Sequence, residues 1–186
     1  MNVSPDKTKT ENYLIRWMIR RDMRDVLTII KQSFKNPIFE DELTEYLRSR
    51  NIVGQVIELS RSRRARTSKK IIGFMLYELK KYDIAIIFLA IDPDYRRSGL
   101  GAKMVNKLIL KLYPVGRKVE ISVDVRETNL SAQLFFKKLG FKAVLVDKNY
   151  FSDTEEDSYL MTYFSGEKTQ KQTNRIAYFG KQHRRQ

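Results

Sequence analysis

Apolar residues along this chain fall into short runs with two different periods. Ile15, Trp17 and Ile19 alternate with Arg16, Met18 and Arg20, the two-residue period of a half-buried strand. Val26, Leu27, Ile29 and Ile30 then recur at helical spacing. Asp22 is the predicted N-cap of that helix, with Asp25 three residues on in a capping-box arrangement. Pro37 interrupts the pattern. A second helix is predicted over Glu40 to Ser49, with acids in its first turn, where the helix dipole favours them. Val53 to Leu59 and Lys70 to Leu79 read as strands joined by a hairpin loop. Ile84 to Ile91 is an unbroken apolar run, predicted as a strand buried on both faces and stopped by Asp92-Pro93-Asp94.

Gly99 to Tyr113 reads as an amphipathic helix, with Leu100, Met104, Val105, Leu108, Ile109 and Leu112 on one stripe. Val119, Ile121, Val123 and Val125 face one way from a strand whose other face carries Glu120, Ser122 and Asp124. A helix over Ser131 to Leu139 ends at Gly140, a natural C-cap, and short strands follow near Lys142 to Val146 and Ser158 to Phe164. The order β-α-α-β-β-β-α-β-α-β-β predicts an α/β fold: a central mixed sheet of about seven strands with about four helices on its two faces. No internal repeat is present. The 186 residues fit one domain with a tail. The expected division is a flexible N-terminus (1–12), a folded domain (13–164) and a basic, disordered tail (165–186).

Composition narrows the chemistry. There is no cysteine, and the one histidine is His183. Disulfides, cysteine nucleophiles, cysteine-based metal centres and multi-histidine sites are therefore excluded, and no metal is expected. Proton transfer falls to Asp, Glu, Tyr, Lys or water. The longest apolar run is far short of the ~20 residues of a membrane span, and the polar N-terminus lacks a secretion signal's apolar core. A cytoplasmic protein without membrane association is expected. The formal net charge is +14. Much of it sits in Arg61 to Lys70, with six basic residues and no acid, and in the tail after Ser165. Two readings stand for these segments: a solvated loop and tail, or attraction to an acidic, RNA-rich partner that makes nucleic-acid contact indirect.

The informative stretch is Arg96-Arg97-Ser98-Gly99-Leu100-Gly101-Ala102, between the apolar strand and the amphipathic helix. Its glycines let backbone approach a ligand closely, and the first N–H groups of the helix favour a phosphate or pyrophosphate. Arg96, Arg97 and Lys103 add positive charge. The stretch lacks the third glycine of a dinucleotide fingerprint and the Lys-Ser/Thr of a nucleotide P-loop. A plain glycine turn at a helix start is the other reading.

Ile91 through Gly101 resembles the acetyl-CoA-binding motif of the GNAT N-acetyltransferases. Asp124-Val125-Arg126-Glu127-Thr128-Asn129 and Phe135-Phe136-Lys137-Lys138-Leu139-Gly140-Phe141 resemble the second half of that fold. Lys148 to Phe151 and Glu156 to Met161 resemble the RimI-like branch, which acetylates protein N-termini, ribosomal-protein alanine among them. The resemblance covers Leu14 to Phe164. It implies acetyl-CoA as co-substrate. Backbone at Leu89, Ala90 and Ile91 would pair with the pantetheine arm, and backbone from Arg97 through Ala102 would cradle the pyrophosphate. Asn129 and Phe136 would stand beside the cofactor, and Phe34 to Phe39 would wall the acceptor site. It also implies a general base at Asp124, one methylene shorter than the family's glutamate. The family's acid is a tyrosine at the position of Phe136, which has no proton to give. Water or Tyr150 would take that role, Tyr150 also being a candidate contact for the acceptor peptide.

An α-amine acceptor suits a weak base. At pH 7.5 roughly a third of α-amines are already neutral, against on the order of 0.1% of lysines. The expected partner is thus a protein N-terminus, possibly of a ribosomal protein. A small-molecule amine, a lysine, or acetyl-CoA binding without catalysis are the alternatives.

Overall fold

A computed structural model describes residues 10–63, 66–112 and 120–165. The expected flexible start before Thr10 and the basic tail after Ser165 lie outside the described residues, as do Arg64, Ala65 and Val119. In chain order the elements are β1 (Thr10–Trp17), α1 (Met23–Ser33), α2 (Glu40–Arg48), β2 (Ile52–Arg63), β3 (Arg66–Leu79) and β4 (Asp83–Ile91). There follow α3 (Leu100–Ile109), β5 (Glu120–Arg126), α4 (Leu130–Lys138), β6 (Lys142–Phe151) and β7 (Glu156–Phe164). The seven strands form one mixed sheet in the order β1-β2-β3-β4-β5-β7-β6. The predicted class and order of elements are both found. The chain divides into two compact units, 1–79 with 86–105 and 80–85 with 106–186.

In the first unit, β1, β2 and β3 are antiparallel neighbours. The α1 stripe of Val26, Ile29 and Ile30 is buried with Leu43 of α2 and with Val56, Phe74 and Leu76 of the strands. Phe34 and Tyr46 meet the Phe88 ring edge-on, with centroids 5.5 Å and 5.8 Å away. Strand β1 ends at Trp17, earlier than the alternation predicts, and leaves Trp17 and Ile19 exposed. Arg16 sets that end of β1: its guanidinium forks between buried carboxylates of Asp22 (2.6 Å) and Glu58 (2.8 Å). Asp22 is at the N-cap of α1, as predicted, but does not cap it. Its carboxylate instead accepts from Arg16 and from the Ile19 N–H, closing the 3-10 turn that precedes the helix.

The basic segment is largely strand rather than loop. β2 and β3 run into it until Arg63 stands opposite Arg66. Three of its cations are engaged within the protein: Arg61 on the Tyr95 hydroxyl, Lys69 on Glu58 and Lys70 on Asp92. In β4 only Ile84, Ile86 and Ala90 are buried, so that strand is not buried on both faces throughout. Gly73 in β3 is required by close approach. A side chain there would meet Ile91 Cδ1 at 2.6 Å and the Ala90 carbonyl at 3.2 Å.

In the second unit, β7 lies between β5 and β6, antiparallel to both. Ile121, Val123 and Val125 are buried, as the alternation predicts. Helix α4 ends at Gly140, whose φ of +89° explains the glycine. Phe136, Phe141 and Tyr163 form a ladder of ring contacts with centroids 5.1 Å and 5.7 Å apart. β6 extends well past its predicted end, so Tyr150 is a strand residue and not a loop aromatic. Helix α3 stops at Ile109, continues as a single 3-10 turn over Leu110–Leu112, and enters residues 113–119, outside the described residues.

Candidate functional site

The glycine turn belongs to the first unit. After Leu89, Ala90 and Ile91 close β4, Asp92 accepts from the Asp94 N–H and caps a 3-10 turn over Pro93–Tyr95. Lys70 holds the same carboxylate at 2.7 Å. The Ser98 hydroxyl donates to the Tyr95 carbonyl at 2.5 Å. Arg97 and Gly99 then take positive φ, 62° and 78°, which turns the chain sharply into α3. Lys103 makes the first helical bond, to the Gly99 carbonyl. Among the described residues, the N–H groups of Gly99, Leu100, Gly101 and Ala102 find no acceptor in the protein. A Cβ on Gly99 would meet nothing within 4 Å. Four N–H groups without a protein acceptor at the positive end of a helix make a cradle for an anion. Arg97 is exposed beside it.

Arg96, expected beside the cofactor, also has partners within the protein. Its guanidinium donates to the Ile91 carbonyl and to the Ser33 hydroxyl, both at 3.0 Å. The side chain thus ties the turn to β4 and α1 while staying exposed. It also engages one of the carbonyls assigned to the pantetheine arm, although a carbonyl oxygen has a second lone pair.

The carboxylate belongs to the second unit. Asp124 projects from the polar face of β5, and its Oδ1 accepts the Ser158 hydroxyl of β7 at 2.9 Å. Tyr150 of β6 donates a second hydrogen bond to the same carboxylate. Asp124 keeps solvent contact, yet protein crowds it on its other sides. That desolvation pushes its pKa up, against the opposing pull of Ser158, Tyr150 and the Lys80 charge, and the net shift is upward. The result is a carboxyl fixed by two neutral donors and made more basic than an ordinary aspartate. Tyr150 is half exposed, with its ring edge-on to Phe151, and its proton is engaged by Asp124.

Two sequence-derived residues turn out to have structural duties. Phe136 is 4% exposed and packs against Phe135 and Phe141 as a core aromatic. Asn129 caps α4 by accepting from the Ala132 N–H at 3.1 Å, so its side-chain oxygen already serves the helix. Phe39 of the predicted acceptor wall is exposed, whereas Phe34 packs on Phe88. The sequence reading missed Ser158, which is fully buried. Its signal was a small hydroxyl residue inside an apolar strand. Among the described residues no group of three or more His, Asp or Glu side chains is placed to hold a metal, and no helix is long and apolar enough to cross a membrane.

The model of the acetyltransferase (GNAT) family matches residues 21–141. The [ribosomal protein bS18]-alanine N-acetyltransferase of Escherichia coli K12 is 30% identical over 94 residues. That match takes in 50% of this chain and 63% of the E. coli protein, so the chain spans under two thirds of that relative. The N-alpha-acetyltransferase of Sulfurisphaera tokodaii is 36% identical over 76 residues, 41% of this chain and 45% of that one. In three dimensions, the crystal structure of the E. coli S18-alanine N-acetyltransferase superposes with a TM-score of 0.67 at 20% identity, covering 86% of this chain and 97% of that one. Arabidopsis thaliana NAA60 in complex with acetyl-CoA superposes at 0.69 with 18% identity, over 82% and 98% of the two chains. These superpositions establish a shared fold.

Proposed function

The chain belongs to the acetyltransferase (GNAT) family, and from that premise we propose that it moves an acetyl group from acetyl-CoA to the N-terminal α-amine of a protein. The observation that carries the reading is the turn into α3, where four consecutive backbone N–H groups have no acceptor among the described residues and the space beside Gly99 is open. The cradle suits the diphosphate of coenzyme A in charge and in room. When bound, acetyl-CoA supplies a thioester whose carbonyl an amine can attack directly.

The chain's own residues account for the rest. The N–H groups from Gly99 to Ala102 hold the diphosphate, and Arg97 adds charge beside it. Backbone at Leu89 and Ala90 lines the arm. Asp124 takes the proton that the attacking nitrogen must lose, directly or through one water. Ser158 and Tyr150 hold that carboxylate in place. Because the Tyr150 hydroxyl hydrogen is engaged in its bond to Asp124, water protonates the departing thiolate. A more basic aspartate is still a weak base, which favours an α-amine over a lysine.

The relatives named for N-terminal acetylation, one of them specific to a ribosomal-protein alanine, support a protein N-terminus as acceptor. An N-terminal alanine of a ribosomal protein is the first candidate, and a cytoplasmic workplace fits it. Thiol release from acetyl-CoA, measured with a peptide bearing a free N-terminal alanine and with spermidine, tests the assignment. Turnover on the peptide is expected. Turnover on spermidine alone would replace it with a small-amine acetyltransferase.

A further inference from the structure

In the first unit, α1 and α2 border an open groove of about 1100 Å³ with the C-terminal end of β1 and the start of β2. Small ligands usually occupy sites of ~300–1,000 Å³, so this groove has room for a stretch of polypeptide. Its floor is apolar: Met18, Met23, Leu27, Leu47 and Val53 are all half-buried. Methionines on such a floor let a surface adapt to another chain. Its rim is cationic. Arg20, Arg21, Arg24, Lys31 and Arg48 line it, all exposed, against Glu40 alone among acids. None of these five cations makes a side-chain hydrogen bond or salt bridge to another described residue, while Arg21 feels only the longer-range attraction of Asp22. Asp22, between Arg21 and Met23 of the lining, is committed to Arg16.

We propose that this groove docks an acidic amphipathic helix of a partner protein, with apolar side chains on the methionine and leucine floor and carboxylates on the arginine rim. Charge complementarity selects the occupant. This chain's own tail after Ser165 is basic, and a second copy, at a net charge of +14, brings the same sign. A nucleic acid strand would want several ring surfaces for stacking, and this groove offers Trp17 over an aliphatic floor. The helix-in-groove mode needs apolar anchors at helical spacing, which a floor between two helices accepts.

Trp17 is the chain's one tryptophan and lines the groove, so its emission reports on occupancy. The full chain is titrated with a synthetic 18-residue helix carrying leucine on one face and glutamate on the other. The controls are the same helix with lysine for glutamate, and a uridine 15-mer. The proposal expects a saturable emission change with the glutamate helix alone, weakened by salt. Arg21→Glu with Arg24→Glu should weaken it at least about tenfold, with thermal midpoint and acetyl-CoA affinity unchanged. Arg48→Glu, on the other helix, should weaken it too if the first pair disturbs folding. No response to the glutamate helix, an equal response to the lysine helix, or tighter binding of the oligonucleotide would overturn the proposal.

Discussion

At Asp124 two influences oppose each other. Crowding by protein raises its pKa, and hydrogen bonds from Ser158 and Tyr150 lower it, with the rise prevailing. A base must be ionised to accept a proton. The rate should therefore climb with pH through a value above the ordinary carboxylate range of ~3.9. Asp124→Asn should remove that limb and cost on the order of 10²-fold in kcat, with acetyl-CoA affinity unchanged. Rate–pH profiles of the two proteins check this, and a wild-type profile for the variant would take Asp124 out of the reaction. Gly99, with φ of +78°, has room for a side chain but not the backbone for one. Gly99→Glu adds strain of about 1–3 kcal/mol and a negative charge at the cradle. Acetyl-CoA affinity by calorimetry should fall at least tenfold, and an unchanged value would move the cofactor elsewhere. The turn was legible because its chemistry is local. Ser158 was not, because its partner lies 34 residues away in sequence.

Among the elements, β1 is held by ion pairs as well as by packing. Glu58 is held below the usual glutamate range by hydrogen bonds from Lys69 and Arg16. For Asp22, burial pushes upward, but Arg16 and the Ile19 N–H outweigh it and the net shift is downward. Carboxyls depressed in the fold contribute stability above their unfolded values, ~3.9 and ~4.3. That contribution is lost as pH falls through the lower folded values. Arg16→Ala leaves two buried carboxylates side by side. It should cost about 2–3 kcal/mol at pH 7, less than the ~3–5 of a fully buried pair because Arg16 keeps some solvent contact. The cost should shrink in acid, as pH falls through the depressed values of both carboxyls. Urea unfolding at pH 7 and in acid measures it, and a pH-independent cost would mean that Arg16 acts by packing alone. Periodicity found the α1 stripe and the Gly140 cap because each is set within one element. It misplaced the end of β1, where an arginine bound to Asp22 and to the distant Glu58 decides the geometry. It also cut β2 and β3 short, because a run of like charges reads as loop until Glu58, Asp92 and Tyr95 are seen to receive it.

Over the whole molecule, fold class and the order of elements along the chain were legible because alternation, helical stripes and turn residues agree along most of the chain. The two readings of the net charge of +14 separate more clearly in the structure. Arg61, Lys69 and Lys70 of the basic hairpin serve Tyr95, Glu58 and Asp92, whereas Arg20, Arg21, Arg24, Lys31 and Arg48 line the α1–α2 groove without an ion pair to a described residue. The central claim concerns which nitrogen receives the acetyl group. The most direct measurement incubates the protein with acetyl-CoA and two peptides of one sequence, one with a free N-terminal alanine and one N-blocked with an internal lysine. Mass spectrometry then locates the added acetyl group. The account expects acetylation at the free alanine alone. Acetyl groups on the lysine of the blocked peptide, with the free alanine untouched, would contradict it.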